Sequence, residues 1–227
     1  MNVILTGSQK NNIGKTILSI KIGIELAKTG KKILMMDLSQ GKIKMSEYLN
    51  VNENIIYDIV DVYNNTCTLD QGIIEINENL FLLPCPRLTD KINEINKENF
   101  SRLIDSAVDY DYVIIDAHRL TSNYIDFSKI QNVVSINNND FSCVKEINSN
   151  KTISSKAKNF IVVINMFNKK ATNKGNMLKL KCVEKLTETT ITTLIEENPK
   201  YSQVQYEMLF QENFIKTEIN SIINNLK

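Results

Sequence analysis

The sequence predicts an α/β protein with a mainly parallel sheet of about seven strands and helices on both faces. Short apolar, β-branched runs recur along the 227 residues, and segments with helical periodicity separate them. Several of these runs are continuously apolar, which is typical of strands that helices cover on both faces. Strands that alternate with helices form parallel sheets, because each crossover connection carries a helix.

Seven segments are predicted as strands. They are Val3–Thr6, Lys32–Met36, Leu80–Leu83, Tyr112–Ile115, Val133–Ile136, Phe160–Ile164 and Ile191–Ile195. Between them, Lys97–Ala107 is predicted as a helix, because its apolar residues recur on one face. No linker or repeat divides the chain, and we expect a single domain over residues 1–227.

Composition and charge restrict the function classes. The net charge is +1, so no global field attracts nucleic acid or anionic lipid. No apolar run approaches the length of about twenty residues that crosses a bilayer, and the N-terminus lacks the layout of a signal peptide. The four cysteines are scattered without a C-x-x-C pair, and we expect reduced thiols in a cytoplasmic protein.

The strongest motif lies between the first predicted strand and the first predicted helix. Gly14-Lys15-Thr16 opens an apolar-periodic helix directly after a buried strand. The backbone N–H groups and the helix dipole therefore point at one place, where an anion would bind. In such a loop the lysine reaches the terminal phosphates of a nucleotide, and the threonine offers its hydroxyl to Mg²⁺. The expected ligands are Asn11, Asn12, Ile13, Gly14, Lys15, Thr16 and Ile17.

Two more predicted strands end in an acid. Tyr112–Ile115 is followed by Asp116, and Lys32–Met36 is followed by Asp37. Because parallel strands present their carboxyl ends at one edge of the sheet, Asp116 is expected to hold the hydration shell of Mg²⁺ opposite Thr16. An aspartate after a buried strand is often only a turn former or a helix cap. Two such acids that follow a phosphate loop in this order favour a magnesium–nucleotide site.

A second lysine and six further segments resemble the MinD/ParA family of ATPases, and MinD-like proteins in particular. The deviant phosphate loop of that family, Lys-Gly-Gly-x-Gly-Lys-Thr, has an additional lysine, and Lys10, Lys15 and Thr16 match its two lysines and its threonine. The segments that resemble MinD segments in order and spacing are Gly30–Asp37, Tyr57–Val62, Thr68–Gly72, Asn79–Pro84, Asp111–Asp116 and Lys174–Leu178.

This resemblance implies a P-loop NTPase fold that binds ATP and Mg²⁺. It implies an ATP-dependent homodimer in which Lys10 contacts the nucleotide of the partner, and catalytic roles for Lys10, Lys15 and Asp37. It also implies that Asn165, which follows the predicted strand beside the nucleotide base, is a further ligand. The expected function is a nucleotide-dependent switch that positions a septum, a flagellum or pilus, or a segregating cargo, through a protein partner that the sequence does not identify.

The loop departs from the family pattern in its glycines. Gln9, Asn11 and Asn12 stand where the family has glycine. Asparagine is the non-glycine residue that best tolerates positive φ, so the pair Asn11-Asn12 can hold a loop that glycines usually hold.

Other departures fall among the catalytic parts. Ser39 stands two residues after Asp37, where the family has a second acid that positions the attacking water. A serine is not a carboxylate at neutral pH, so we expect slow or partner-dependent hydrolysis. After the acid at position 116 the family has a small residue and then proline, whereas this chain has Ala117-His118-Arg119. His118 is interpreted as a solvent-facing loop residue, with a catalytic or phosphate-contacting role as the alternative.

Three alternatives remain at this point. A protein that binds ATP without efficient hydrolysis is the main competitor, because of Ser39 and His118. An iron–sulfur reductase would need paired cysteines in glycine-rich loops, and the surroundings of Cys85 and Cys143 lack those glycines; most such cysteines are small core hydrophobes. A ligase of the dethiobiotin type shares the phosphate loop but not the ordered MinD-like segments.

Two surface features concern partners. Residues 151–185 carry nine lysines and one acid, Glu184, but such a run is usually a solvated face, and we do not expect DNA binding. The C-terminal segment is amphipathic and suits either an interfacial helix or the last helix of the fold. Its polar face has no excess of lysine and arginine, because Glu218 offsets part of the charge, so we expect no direct membrane binding.

Overall fold

The computed structural model describes residues 1–201 and 203–227. Eight strands form one sheet in the order β3-β4-β2-β5-β1-β6-β7-β8. They are β1 (Asn2–Gly7), β2 (Ile33–Leu38), β3 (Ile74–Asn77), β4 (Leu80–Leu83), β5 (Tyr112–Ala117), β6 (Asn132–Asn137), β7 (Asn159–Phe167) and β8 (Ile191–Glu196). All neighbouring strands are parallel except β3, which pairs antiparallel with β4.

The predicted fold class is confirmed, and all seven predicted strands are present, most of them longer by one to four residues. The eighth strand, β3, was not predicted. It covers four residues, Ile74–Asn77, at the edge of the sheet, and reaches β4 through the two-residue connection Glu78-Asn79. An edge strand this short contains too few residues for its alternating pattern to stand out from a loop.

Ten α-helices lie in the described part of the chain. They are α1 (Lys15–Ala27), α2 (Met45–Tyr48), α3 (Ile59–Tyr63), α4 (Leu69–Gly72), α5 (Lys97–Ser106), α6 (Cys143–Ile153), α7 (Lys169–Asn173), α8 (Leu180–Thr187), α9 (Tyr206–Phe210) and α10 (Lys216–Ile223). The apolar face predicted for Lys97–Ala107 is buried in the core, and the helix there, α5, ends one residue earlier than predicted.

Two apolar layers cover the two faces of the sheet. In β1, Val3 and Leu5 point into the layer that contains α3 and α5, whereas Ile4 points into the layer that contains α1 and α10. Successive residues of a strand alternate between faces, so a strand buried on both sides has to be apolar throughout. The uninterrupted apolar runs of the sequence therefore have their physical cause in these two layers.

The last helix closes the second layer. Ile219 and Ile222 of α10 are fully buried, and α10 packs against α1 and β8. The apolar face of the C-terminal segment is thus covered within the fold. No helix among the described residues has both the length and the apolar character that a bilayer crossing requires.

Strand register brings the polar residues at the strand ends to one edge. Asp116 of β5 lies between Thr6 of β1 on one side and Asp37 of β2 on the other. The loop from β1 to α1 leaves the sheet at the same edge. Polar and charged side chains from three central strands therefore meet at the carboxyl ends of these strands, although up to 110 residues separate them along the chain.

Candidate nucleotide site

The loop between β1 and α1 depends on two residues with a left-handed backbone. Gly14, the last residue before α1, has φ of 77°. A Cβ on Gly14 would lie 2.6 Å from Nδ2 of Asn165, so a side chain there would collide with the amide. Asn12 also has a positive φ, 57°, which asparagine adopts more readily than other non-glycine residues. The loop keeps its tight course with only one glycine between residues 8 and 14.

Gln9 ties this loop to the rest of the fold. Its amide Nε2 donates hydrogen bonds to the carbonyl oxygen of Leu120 and to Oδ1 of Asn150, each at 3.1 Å. Asn150 lies on α6 and is fully buried. A side chain at a position where the family has glycine thus anchors the loop at its first turn.

Lys15 is buried at the start of α1. Its ammonium Nζ donates to the carbonyl oxygen of Lys10, so the side chain folds back over the loop. Burial lowers the pKa of Lys15, whereas the nearby Asp116 raises it. An ammonium that has lost most of its water gains strongly from an anion, and a phosphate placed in the loop would supply one.

Asp116 is the centre of the site. The Thr16 hydroxyl donates to its Oδ2 at 2.6 Å, and the Ser19 hydroxyl to its Oδ1 at 3.3 Å. Burial raises the pKa of Asp116 to about 7, and the charge of the neighbouring Asp37 adds to the effect. The carboxyl therefore sits where its charged form is costly unless a cation lies next to it.

These donors fit magnesium. Mg²⁺ prefers oxygen ligands and keeps several of its waters, and one or two carboxylates are enough to hold it beside a nucleotide. Thr16 and Asp116 offer a hydroxyl and a carboxylate oxygen that already touch each other. A divalent cation there would also relieve the desolvated charge of Asp116.

Asp37 has a different environment from Asp116, although the two are register neighbours. Its Oδ1 accepts the backbone N–H of Ser39 at 2.8 Å, and its Oδ2 accepts that of Met45 at 2.9 Å. Burial raises the pKa of Asp37, and these two hydrogen bonds oppose the rise. The side chain predicted to be catalytic thus fixes the loop between β2 and α2.

A cleft of about 360 Å³ opens in front of the loop. One part of its lining comes from the phosphate loop and the start of α1, including Lys15 and Thr16, and another part comes from the segment 39–43, Tyr48 and His118. A second pocket, of about 230 Å³, shares Gly14 and Ile17 with this cleft.

The second pocket has an apolar lining. Its walls include Ile17 and Leu18 of α1 and, on the far side, Tyr201, Phe214 and Ile215. A polar cleft that continues into an apolar pocket offers separate surroundings for a charged group and for a flat, less polar one. That division matches the phosphates and the base of a nucleotide.

Two of the predicted ligands hold the loop itself. Asn165 Nδ2 donates to the carbonyl oxygen of Ile13 at 2.9 Å, and Asn165 also lines the apolar pocket. The side chain of Ile13 is buried in the core. Asn11 and Asn12 do line the cleft.

Lys10 points away from the other predicted ligands. Its Nζ donates to Oδ1 of Asn138 at 2.7 Å, forms an ion pair with Asp140, and lies 3.6 Å from the Glu146 carboxylate. These partners follow β6 and begin α6. The lysine that the resemblance assigns to a second subunit is held by this chain's own acids.

The two residues that stand where the family pattern differs after Asp37 and Asp116 line the cleft. Ser39 is buried at its edge, and His118 is half-buried beside it. Burial lowers the pKa of His118, and the positive charges of Lys15 and Arg119 lower it further. His118 is therefore a neutral imidazole at pH 7 that faces the cleft, rather than a fully solvent-facing loop residue.

The cysteines of the iron–sulfur alternative are core residues. Cys85 and Cys143 are both buried, and burial raises the pKa of each thiol, to about 11 for Cys143. The Cys85 thiol donates to the carbonyl oxygen of Ser39 at 3.1 Å. Two protonated, buried thiols do not form the exposed ligand pair that a cluster shared between subunits needs.

Several residues of the cleft were missed in the sequence. Tyr48 and the segment 40–43 carry no motif, and their place depends on how Asp37 folds the loop. Another part of the lining of the apolar pocket comes from Pro199, Tyr201, Val204, Phe214 and Ile215, almost two hundred residues after the phosphate loop. The one local signal near this part of the pocket was the strand predicted to end at Ile195, which also lines the pocket.

Comparison with known proteins identifies the family. The sequence model of the family described as AAA domain matches residues 1–126, more than half of the chain. The septum site-determining protein MinD of Synechocystis sp. is 32% identical over 117 residues, which are 50% of this chain and 44% of that protein. The chain belongs to the MinD/ParA family of ATPases.

Solved structures extend the likeness of the fold to the whole chain. A chain of the MinC:MinD cell division protein complex of Aquifex aeolicus superposes with a TM-score of 0.83 at 23% identity, over 99% of this chain and 95% of that one. The septum site-determining protein MinD of Pyrococcus horikoshii, solved as a complex with Mg-ADP, gives a TM-score of 0.79 at 16% identity, over 97% of this chain and 93% of that one. In sequence, by contrast, the match spans less than half the length of the curated relative.

Proposed function

We propose that this chain binds Mg–ATP in the cleft and works as a nucleotide-dependent dimerising switch for spatial positioning in the cell, with slow hydrolysis. The observation that carries the proposal is the contact of the Thr16 hydroxyl with Asp116 at 2.6 Å, next to the buried ammonium of Lys15. Lys15 would neutralise the phosphates, and Thr16 and Asp116 would hold the magnesium.

The two pockets support a nucleotide over a simple anion. The phosphates would occupy the polar cleft beside Lys15, and the base would enter the apolar pocket beyond Gly14 and Ile17. Bound Mg²⁺ would shield the negative charge of the phosphates. The MinD of Pyrococcus horikoshii was solved with Mg-ADP, and the family likeness brings the same ligand class to this chain.

The same cleft favours slow turnover. Ser39 offers no carboxylate to position an attacking water, and Asp37 is already bonded through both oxygens. A neutral His118 at the edge of the cleft is the remaining group that can accept a proton from water. A scaffold that binds ATP without turnover is the second candidate, and the absence of an acid at position 39 favours it.

The proposed partners are a second copy of this chain and a protein that the switch recruits or releases. Lys10 would contact the nucleotide of the second copy, as the family resemblance implies. The MinD of Aquifex aeolicus was solved in complex with MinC, which supports a protein partner for this chain as well. The proposal includes neither DNA nor direct membrane contact.

Thermal unfolding with and without Mg–ATP tests the binding proposal. A ligand that binds only the folded state stabilises it by about 2.7 kcal/mol at one hundred times its Kd. For a chain of this size that corresponds to a rise in Tm of roughly 5 to 10 °C. Lys15→Ala should remove the rise and leave the Tm without nucleotide nearly unchanged.

Lys31→Ala is the matched control. Lys31 directly precedes β2, at the amino ends of the parallel strands and therefore away from the cleft. It is exposed, and its Nζ lies 3.7 Å from Oδ1 of Asp111. This variant should keep the full response to Mg–ATP. A wild-type protein without any shift at millimolar Mg–ATP would refute nucleotide binding.

A further inference from the structure

Lys21 is a charged residue that the nucleotide site does not use, and it is fully buried. It lies on α1, six residues after Lys15. Its ammonium donates to Oε1 of Glu25 at 2.8 Å and to the carbonyl oxygens of Leu209 and Gln211 at 3.0 and 3.1 Å. All three donors of the ammonium are thus satisfied within the protein.

One carbonyl group belongs to Leu209 in the last turn of α9, and the other to Gln211, directly after α9. The connection between α9 and α10 continues from Gln211 to Phe214 and Ile215, which line the apolar pocket. Phe214 packs edge-on against Tyr201 with ring centroids 4.9 Å apart, and the Lys21 ammonium lies 5.8 Å from the Phe214 ring centroid. The lysine therefore supports the pocket wall from behind.

The backbone at this wall is held in an unfavourable conformation. Ile215 has φ of 44° and ψ of 29°, the left-handed region, where a β-branched residue is strained. Such a backbone conformation is energetically unfavourable and persists only when its surroundings fix it. The hydrogen bonds of Lys21 to Leu209 and Gln211 are among the contacts that fix this segment.

We propose that Lys21 is a positioning residue that clamps the segment 209–215 to the phosphate-loop helix and so shapes the pocket for the nucleotide base. The inference rests on the proposed nucleotide function and assigns a role within it. Because α1 begins with Lys15 and Thr16, the clamp joins the phosphate end and the base end of the site through one rigid element. Lys21 touches neither the loop nor the cleft.

This separation makes the role measurable. Inorganic tripolyphosphate carries the phosphates of ATP without the base, so it would use the loop and not the apolar pocket. Loss of the clamp should therefore weaken Mg–ATP and spare Mg–tripolyphosphate. A purely structural role of Lys21 would change both ligands alike or neither.

The experiment measures the affinity of both ligands by calorimetry in three proteins. Lys21→Met keeps the length of the side chain and removes the donors, and it should weaken Mg–ATP at least tenfold while Mg–tripolyphosphate stays within about twofold. Lys28→Met is the matched control, because Lys28 contacts the same Glu25 oxygen at 2.8 Å but has none of the hydrogen bonds to residues 209 and 211. It should bind both ligands like the wild type.

A second variant protects the test against misfolding. Lys21→Met combined with Glu25→Leu removes the buried charges as a pair, which proteins often tolerate without loss of stability. It should show the same selective loss, together with faster amide hydrogen exchange in residues 209–215. Equal loss of both ligands, or unchanged Mg–ATP affinity in the folded double variant, would overturn the role of Lys21. A wild type that binds neither ligand would instead refute the nucleotide function on which the role depends.

Discussion

Two parts of the cleft lining differ in the functional groups that they contain. On the side of the phosphate loop, Lys15, Thr16 and Asp116 form a connected set of an ammonium, a hydroxyl and a carboxylate. In the other part of the lining, Ser39 and His118 face the cleft without a carboxylate that is free to orient water. We call the first part the holding side, because the proposal assigns it the binding of Mg–ATP, and the second part the water-positioning side.

If the cleft binds Mg–ATP as proposed, holding the nucleotide and hydrolysing it would depend on separate groups in this fold. The holding side is built on backbone geometry and on the ends of β1 and β5, which the core fixes rigidly. The water-positioning side is a loop whose course depends on the hydrogen bonds of Asp37. Substitutions on the two sides should therefore separate affinity from turnover.

The largest effect is expected on the holding side, from Asp116→Asn. The change removes the charge that would hold hydrated magnesium, and loss of such a group typically costs about 10- to 100-fold in metal affinity. We expect the Mg²⁺-dependent part of ATP binding to fall by that factor in calorimetric titrations with and without Mg²⁺. An Asp116→Asn variant that binds Mg–ATP like the wild type would show that the acid is structural.

The same substitution should have the opposite effect on stability without ligand. The pKa of Asp116 is about 7 in the folded protein and 3.8 in its ordinary state. Between those values the folded state keeps a proton that the unfolded state has lost, so the free energy of unfolding falls as the pH rises from about 4 to about 7.

Asp116→Asn removes this penalty. At pH 8 the ligand-free variant should melt higher than the wild type, by about 2 to 4 °C for each kcal/mol gained, and at pH 4 the difference should vanish. Melting curves across this pH range, without Mg²⁺ or nucleotide, test the sign. A variant that is less stable than the wild type at pH 8 would contradict the raised pKa.

The holding side could be predicted from the sequence because its signals are local. Gly14, Lys15 and Thr16 are consecutive, and Asp116 follows a short apolar, β-branched run that is typical of a buried strand. The opposite side could not be predicted, since the loop carries no motif and its course depends on hydrogen bonds from Asp37 to backbone groups. The presence of Ser39 could be read from the sequence, but its burial could not.

Contacts across long chain distances limited the prediction elsewhere as well. Lys10 meets Asp140 at a separation of 130 residues, and Lys21 meets Leu209 at 188. A pairwise contact between two polar residues leaves no periodic pattern in either segment. Only the assembled fold, in which β1 lies beside β6 and α1 packs against α9, reveals such pairs.

A smaller effect is expected on the water-positioning side, from Ser39→Asp. A carboxylate there could accept a hydrogen bond from the attacking water and orient it. We expect basal Mg–ATP hydrolysis to rise about tenfold, less than a fully evolved general base contributes, because nothing else in the loop has adapted to the charge. Phosphate release under saturating Mg–ATP measures it.

Ser39→Asn is the matched control, since it has nearly the size of aspartate without the charge. It should hydrolyse ATP at the wild-type rate. Fast hydrolysis by the unmodified protein would contradict the difference between the two parts of the cleft lining. It would assign the positioning of the attacking water to His118, and His118→Asn would then test that role.

The smallest effect concerns Lys10, which belongs to the holding side by sequence but faces α6 in this structure. If it contacts the nucleotide of a second copy, it first has to leave Asp140, and a partly exposed ion pair costs at most about 1 kcal/mol to break. Asp140→Asn should therefore strengthen ATP-dependent dimerisation by no more than about fivefold. Lys10→Ala should stay monomeric while it still binds nucleotide, because the proposal assigns nucleotide binding to Lys15, Thr16 and Asp116.

Sedimentation with a non-hydrolysable ATP analogue distinguishes these outcomes. Asp105→Asn, which breaks the exposed pair of Asp105 with Lys129 at 2.7 Å, is the control and should dimerise like the wild type. A Lys10→Ala protein that dimerises normally would remove Lys10 from the interface. If Asp140 competes with the second subunit for Lys10, its removal should strengthen the dimer. A weaker dimer for Asp140→Asn would therefore mean that Asp140 does not compete but orients Lys10 within the dimer.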